Sequence, residues 1–450
     1  MTTSTLEERT GLAMVACFND KRRHHRLLGH QARAFDFQFH PTEDAAVSAS
    51  EDGTARVWDL ANGSGRCVKS LEGHNKKHEV LRACWAPPGA SNDSVSIATG
   101  SADGTVRLWG VPPPGERDGD GGGGGGGSNE TGVGRYKSLK VVGQLKHRNQ
   151  ARGLDGQVYS CQFIADAAAG APPHSSSSAR AGGGALGLLT ASDSSVHLWD
   201  VETRTRVASR ALSKVGDHSI GGERNPQDLP FVFDAKPCPG SGSSVLAVAL
   251  SDGTLRVGNV LREGEQAVVL SGGSNTHLTG LAWSADGSML VACGGNGSVT
   301  VWDARTWTVR SVLSGHSRAV YGAAFHPGDG TAAAAAATAA AAGGGDAGVP
   351  ASGGESPLQL LLTWSSDESV CLWDAARATG DDAVPLATLA TEEGFPVYSC
   401  SVSPDGKKFA VAGGGSGGKK AGFLGVPIKI VDLKDEPPQD SGGKGGVGSG

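Results

Sequence analysis

The sequence predicts an all-β fold assembled from repeated four-stranded units. Three observations carry this. A turn-and-strand motif recurs along the 450 residues, first as Ser50-Glu-Asp-Gly-Thr-Ala-Arg-Val-Trp58-Asp59 and again as Ser101-Ala-Asp-Gly-Thr-Val-Arg-Leu-Trp109. The segments around it alternate apolar and polar residues, the period-2 signature of strands. Glycine is in excess, with 70 residues, where an ordinary chain would have roughly half as many.

Each unit can be justified in order. The first runs through Phe35-Asp-Phe-Gln-Phe39-His-Pro41 to the turn at Asp52 and to Trp58. The second turns at Asp103 and ends on Trp109, the third at Asp193 and Trp199. The fourth turns at Asp252, with Gly258 where Trp would stand. The fifth has Asn296 and Trp302, the sixth Asp367 and Trp373. From turn residue to Trp, or to Gly258, the spacing is six in all of these. The seventh runs from Phe395 through Ser403-Pro-Asp-Gly406 to Ile428-Lys-Ile-Val-Asp432 and has no Trp. Asp-Gly before a β-branched run marks a tight turn, because Gly accepts positive φ and Asp bonds its own backbone. One such sheet cannot bury both faces alone, so the units must stack.

With Gly29-His30, Gly73-His74 and Gly315-His316 ahead of several copies, the chain resembles the WD-repeat β-propellers, whose Gly-His and Trp-Asp signatures recur at about 40–45 residues. The resemblance spans residues 24–433 and implies seven blades. In that family repeat and blade are offset by one strand. His24-His-Arg-Leu-Leu28 would then be the outer strand of the last blade and close the ring, removing exposed edges.

Residues 1–23 read as an N-terminal extension and 434–450 as a disordered tail. Low-complexity insertions at 111–135, 165–185, 328–357 and 413–425 cannot form a packed core and read as surface loops.

Lys+Arg number 40 against 46 Asp+Glu, a net charge of −6. That excludes a globally basic nucleic-acid binder. No apolar run is long enough to span a membrane, and Met1–Thr10 lacks a secretory signal's apolar stretch. The eight scattered cysteines form no Cys-x-x-Cys pair and read as reduced thiols. These features point to cytoplasm or nucleus.

Three sets mimic hydrolase triads: His30, Ser48, Asp52, Trp58; His74, Thr99, Asp103, Trp109; and His316, Thr363, Asp367, Trp373. A catalytic site occurs once, so repetition argues for a structural role. The resemblance implies a tetrad in which Asp accepts from His, His from Ser/Thr, and Ser/Thr from the indole N–H, satisfying buried polar groups. Units four, five and seven have incomplete sets. Gly413-Gly-Gly-Ser-Gly-Gly418-Lys419-Lys420 lacks the hydroxyl residue and helix of a phosphate-binding loop. No metal-ligand spacing, cofactor motif or catalytic residue emerges. The basic run Lys21–Arg26 reads as a solvated lead-in to the first strand.

The resemblance implies a non-catalytic scaffold that binds proteins or peptides at the mouth of the central channel. Aligning the innermost strands on the proline that ends most of them brings Phe35, Leu81, Tyr159, Phe233, Thr279, Tyr321 and Tyr398 to one position, five of them aromatic. Such a ring suits an inserted Arg, Lys or aromatic side chain. Trp302-Asp303-Ala304-Arg305 is similar to the motif by which some family members dock on the adaptor of cullin-4 ubiquitin ligases. That gives an alternative reading as a substrate receptor, with Asn296 a departure from the motif.

Overall fold

The computed structural model describes residues 17, 20, 23–88, 95–111, 132–149, 154–164, 186–212, 229–241, 244–262, 267–271, 276–327, 359–378, 380–391, 394–414 and 428–433. Among these lie seven large sheets, the blades, antiparallel except for one added strand. In chain order their inner strands are Ala34–Phe39, Val80–Trp85, Val158–Ile164, Val232–Pro237, Leu278–Trp283, Val320–Phe325 and Val397–Val402. Each inner strand lies against those of both neighbouring blades, and the seventh lies against the first, so the blades form a ring around a channel. The protein is an all-β, seven-bladed propeller. In the seventh blade the fourth strand is His24–Leu27, paired antiparallel with Ile428–Asp432 in the register Leu27 to Ile428.

Seven apolar clusters hold the ring, one in each interface between adjacent blades. Every blade is therefore buried on both faces. Second strands such as Ala45–Ser50 and Met289–Gly294 are buried at every residue, which is why they read as near-continuous apolar runs. In the turns, Gly53, Gly104, Gly253 and Gly297 have positive φ, the conformation for which those Asp-Gly and Asn-Gly pairs are suited.

Two features differ from a plain repeat of four strands. The fifth blade has a fifth strand, Gly380–Ala383, contributed by the chain of the sixth blade and parallel to Thr308–Ser314. The connection loops outward before returning as Ala387–Ala390. The insertion at 111–135, expected to be loop throughout, runs into a helical turn at its end. Gly132–Ser138 forms a 3-10 helix, and Tyr136 is only 1% exposed against Trp85. Its hydroxyl donates to Glu43 Oε2 at 3.1 Å. Insertions 165–185 and 328–357, the tail 434–450, all of 413–425 except Gly413 and Gly414, and most of the N-terminal extension lie outside the described residues.

Candidate partner-binding site

All seven inner strands carry a register irregularity at the same place. Pairing to the second strand skips one residue between Ala34 and Asp36, Val80 and Arg82, Val158 and Ser160, Val232 and Asp234, Leu278 and Gly280, Val320 and Gly322, and Val397 and Ser399. The skipped residues are Phe35, Leu81, Tyr159, Phe233, Thr279, Tyr321 and Tyr398. Each is the extra residue of a β-bulge, which bends its strand and re-aims the side chain. All seven are half-buried.

The ring divides into two aromatic groups. Phe35 packs edge-on against Tyr398 at 5.4 Å, and Tyr398 lies 5.1 Å from Tyr321. Across the channel, Tyr159 packs on Phe233 at 5.6 Å and Phe233 lies 5.9 Å from His277. Leu81 and Thr279 stand between the groups in ring order. The Thr279 hydroxyl donates to the Val320 carbonyl, tying blade five to blade six. Gly280 permits that approach: a Cβ there would lie 2.6 Å from the Tyr321 carbonyl oxygen.

The Phe35–Tyr398 group holds a cation. The Arg33 guanidinium lies 5.8 Å from the Phe35 ring centroid and 5.9 Å from that of Tyr398. It donates to Glu51 Oε1 at 2.6 Å and Oε2 at 2.8 Å, and to the Tyr398 hydroxyl at 3.3 Å. This forked bond raises the Arg33 pKa and lowers that of Glu51, so the pair stays ionised.

Below the mouth two buried carboxylates brace the channel wall. Asp36 Oδ2 accepts the Ala83 N–H of blade two at 3.1 Å, and Oδ1 accepts the Ser399 hydroxyl of blade seven at 3.2 Å. Asp234 Oδ2 accepts the Leu281 N–H of blade five at 3.1 Å, and Oδ1 accepts the Ser160 hydroxyl of blade three at 2.8 Å. Each ties its blade to both neighbours. The space they share with Tyr321, Tyr398 and Arg82 has a volume of about 380 Å³.

The three triad-like sets form continuous networks. His30 Nδ1 donates to Asp52 at 2.9 Å, the Ser48 hydroxyl donates to His30 Nε2 at 2.7 Å, and the Trp58 indole donates to Ser48 at 2.8 Å. His74, Thr99, Asp103 and Trp109 repeat this, as do His316, Thr363, Asp367 and Trp373. Burial lowers the His30 and His316 pKa values more than their aspartates raise them. Burial alone would raise the Asp52 pKa, but the bonds from His30, Thr54 and the Gln31 backbone lower it below the usual carboxylate range. Each hydroxyl is spent inside its network. These networks bind loop to strand.

The repeated sequence units match known proteins. The family model for the WD domain, G-beta repeat, matches residues 21–59, 65–110 and 264–303. These three segments are WD repeats, and they lie in a seven-bladed propeller.

Among similar proteins, the nuclear distribution protein PAC1 of Yarrowia lipolytica is 37% identical over 84 residues, 18% of each chain. PAC1 of Arthroderma benhamiae is 24% identical over 325 residues, 68% of this chain and 57% of its own length. Mitochondrial division protein 1 of Pyricularia oryzae is 39% identical over 83 residues, 18% of this chain and 11% of its own. The chain thus spans a little over half the length of Arthroderma benhamiae PAC1, and less of the other two.

The propeller buries Trp302 and uses Asp303 to cap a turn through the Arg305 and Thr306 amides. Of the docking motif only Arg305 is well exposed. Sequence reasoning missed a fourth network. In blade three the Thr190 hydroxyl donates to His147 Nε2 at 2.8 Å and accepts the Trp199 indole N–H at 2.9 Å. No Gly precedes His147, so the Gly-His signature could not flag it. It missed Arg33 as well, since nothing local marks an arginine that stacks on a strand from another blade. Among the described residues, no group of three or more His, Cys, Asp or Glu is placed to hold a metal, and no helix is long and apolar enough to cross a membrane.

Proposed function

We propose that this propeller is a protein-binding scaffold that receives a partner's side chain at the channel mouth. One observation supports this most: seven bulges aim seven half-buried side chains, five of them aromatic, at one opening. A rigid ring of this kind binds without paying to order itself. An inserted Lys, Arg or aromatic side chain would meet both aromatic groups of the ring, Phe35–Tyr398–Tyr321 on one side and Tyr159–Phe233 on the other.

Affinity capture with the full chain tests this. Tyr159→Ala combined with Phe233→Ala should abolish recovery of a partner that the wild type retains, with melting changed by only a few degrees. Unchanged capture beside a large fall in melting temperature would make the ring a packing element instead.

Exposure of Arg305 supports a second reading, docking on a cullin-4 ligase adaptor. Unchanged adaptor pulldown with Arg305→Ala would remove it.

A further inference from the structure

The inner strands end in a second ring. Four residues beyond each mouth position stand Phe39, Trp85, Phe163, Pro237, Trp283, Phe325 and Val402. All seven are apolar and five are aromatic. Strands of one direction put the bulges at one end of the channel and these residues at the other. Two indoles are fixed by the preceding blade: Trp85 donates to the Gln38 carbonyl and Trp283 to the Lys236 carbonyl, each at 3.3 Å. A cavity of about 530 Å³ opens between them, walled also by Pro41, Pro87 and Pro239.

Two polar groups in that lining are unspent. Lys236 is the single charged residue among those lining the cavity. It is half-buried, and no carboxylate pairs with it among the described residues. The Gln162 Oε1 atom is buried and accepts no hydrogen bond. An unpaired acceptor inside a wall of aromatic rings costs free energy until a donor arrives. A lone ammonium in such a wall favours a carboxylate and disfavours another cation.

We propose that this second opening binds an extended peptide segment in which a bulky apolar side chain stands next to an acidic residue. The apolar side chain fills the space between Trp85, Phe163 and Trp283. The carboxylate pairs with Lys236, and a peptide N–H donates to Gln162 Oε1. The space below the mouth shares Gln38, Phe39, Lys236 and Phe325 with this cavity, but the mouth residues themselves do not line it, and the proposal does not depend on what the mouth binds.

Fluorescence polarisation with the full chain tests it, using labelled acetyl-Ser-Glu-Leu-Phe-Ser-amide. Saturable binding is expected, with Glu→Gln in the peptide weakening it about fivefold, the scale of a partly buried ion pair. Lys236→Met, which keeps an apolar stem, should weaken the Glu peptide equally and erase the difference between Glu and Gln peptides. Tyr159→Ala with Phe233→Ala should leave binding unchanged. Absence of saturable binding overturns the proposal. So does binding that ignores Lys236→Met, and so does binding lost with the mouth variants. Melting curves of Lys236→Met guard against a folding defect, and the Gln peptide, whose affinity should be retained, gives the same control in solution.

Discussion

Trp58 donates its indole N–H to Ser48 Oγ at 2.8 Å, whereas in blade five Trp302 Nε1 is buried and meets no acceptor. Ala292 stands ten residues before Trp302, as Ser48 does before Trp58, and it is 1% exposed. Ala292→Ser should therefore supply the missing oxygen and stabilise the protein by about 1 kcal/mol, the net value of a buried hydrogen bond. Denaturant unfolding at neutral pH measures this. A fall in midpoint would show that the pocket has no room for the hydroxyl.

The reverse change in blade one should be costly. Ser48→Ala removes the one group that both His30 and Trp58 use. It strands a buried acceptor and a buried donor together, at a cost of about 2 kcal/mol or more. Ser48→Thr should recover most of the loss, since Thr99 and Thr363 fill the same role. The same unfolding measurement distinguishes the two.

Removing a channel carboxylate should loosen three blades at once. Asp234→Ala leaves the Leu281 N–H, the Ala235 N–H and the Ser160 hydroxyl without the acceptor they share. The expected loss is on the order of 3 kcal/mol. Hydrogen exchange should rise in the inner strands of blades three, four and five together. Protection lost in blade four alone would mean that the carboxylate braces only its own strand.

Acid should weaken the propeller well above the usual carboxylate range. Burial, then His197 and Arg206, lowers the His147 pKa to about 3; burial and Arg206 lower that of His197 to about 4. An unfolded histidine titrates near 6.5. The unfolded chain thus binds protons below pH 6.5 that the native pair refuses, so this stability is fully present above 6.5 and lost as pH falls. At pH 5.5 the loss is about 1 kcal/mol per histidine. Melting temperature followed from pH 7.5 to 5 should fall, and His197→Gln should flatten the curve. An unchanged slope would place the acid sensitivity elsewhere.

Much of the fold was legible because each blade repeats its own instructions. Asp-Gly at Asp52 and Asp103 sets a turn, the Trp six residues on closes a strand, and alternation marks the rest. Alignment on proline brought seven residues to one position, and every one of them, Thr279 and Phe233 included, falls on a bulge. The Tyr136 anchor and the fifth strand at Gly380–Ala383 were not, because each is made by partners distant in sequence.

The sequence by itself determined the unit: its turns, its strand period, and the His, Ser/Thr, Asp and Trp that lock loop to strand, all set by contacts within one repeat. Only the tertiary structure decided what the channel ends offer. Arg33 reaches Tyr398 across 365 positions of chain, and Asp36 reaches Ser399 across 363. Those contacts arise from ring closure, which brings the first blade beside the last. No local pattern encodes them, because a side chain's neighbours across a blade interface are fixed by how the sheets stack. The stacking of blade three on blade four likewise brings Gln162 and Lys236 into the lining of one cavity.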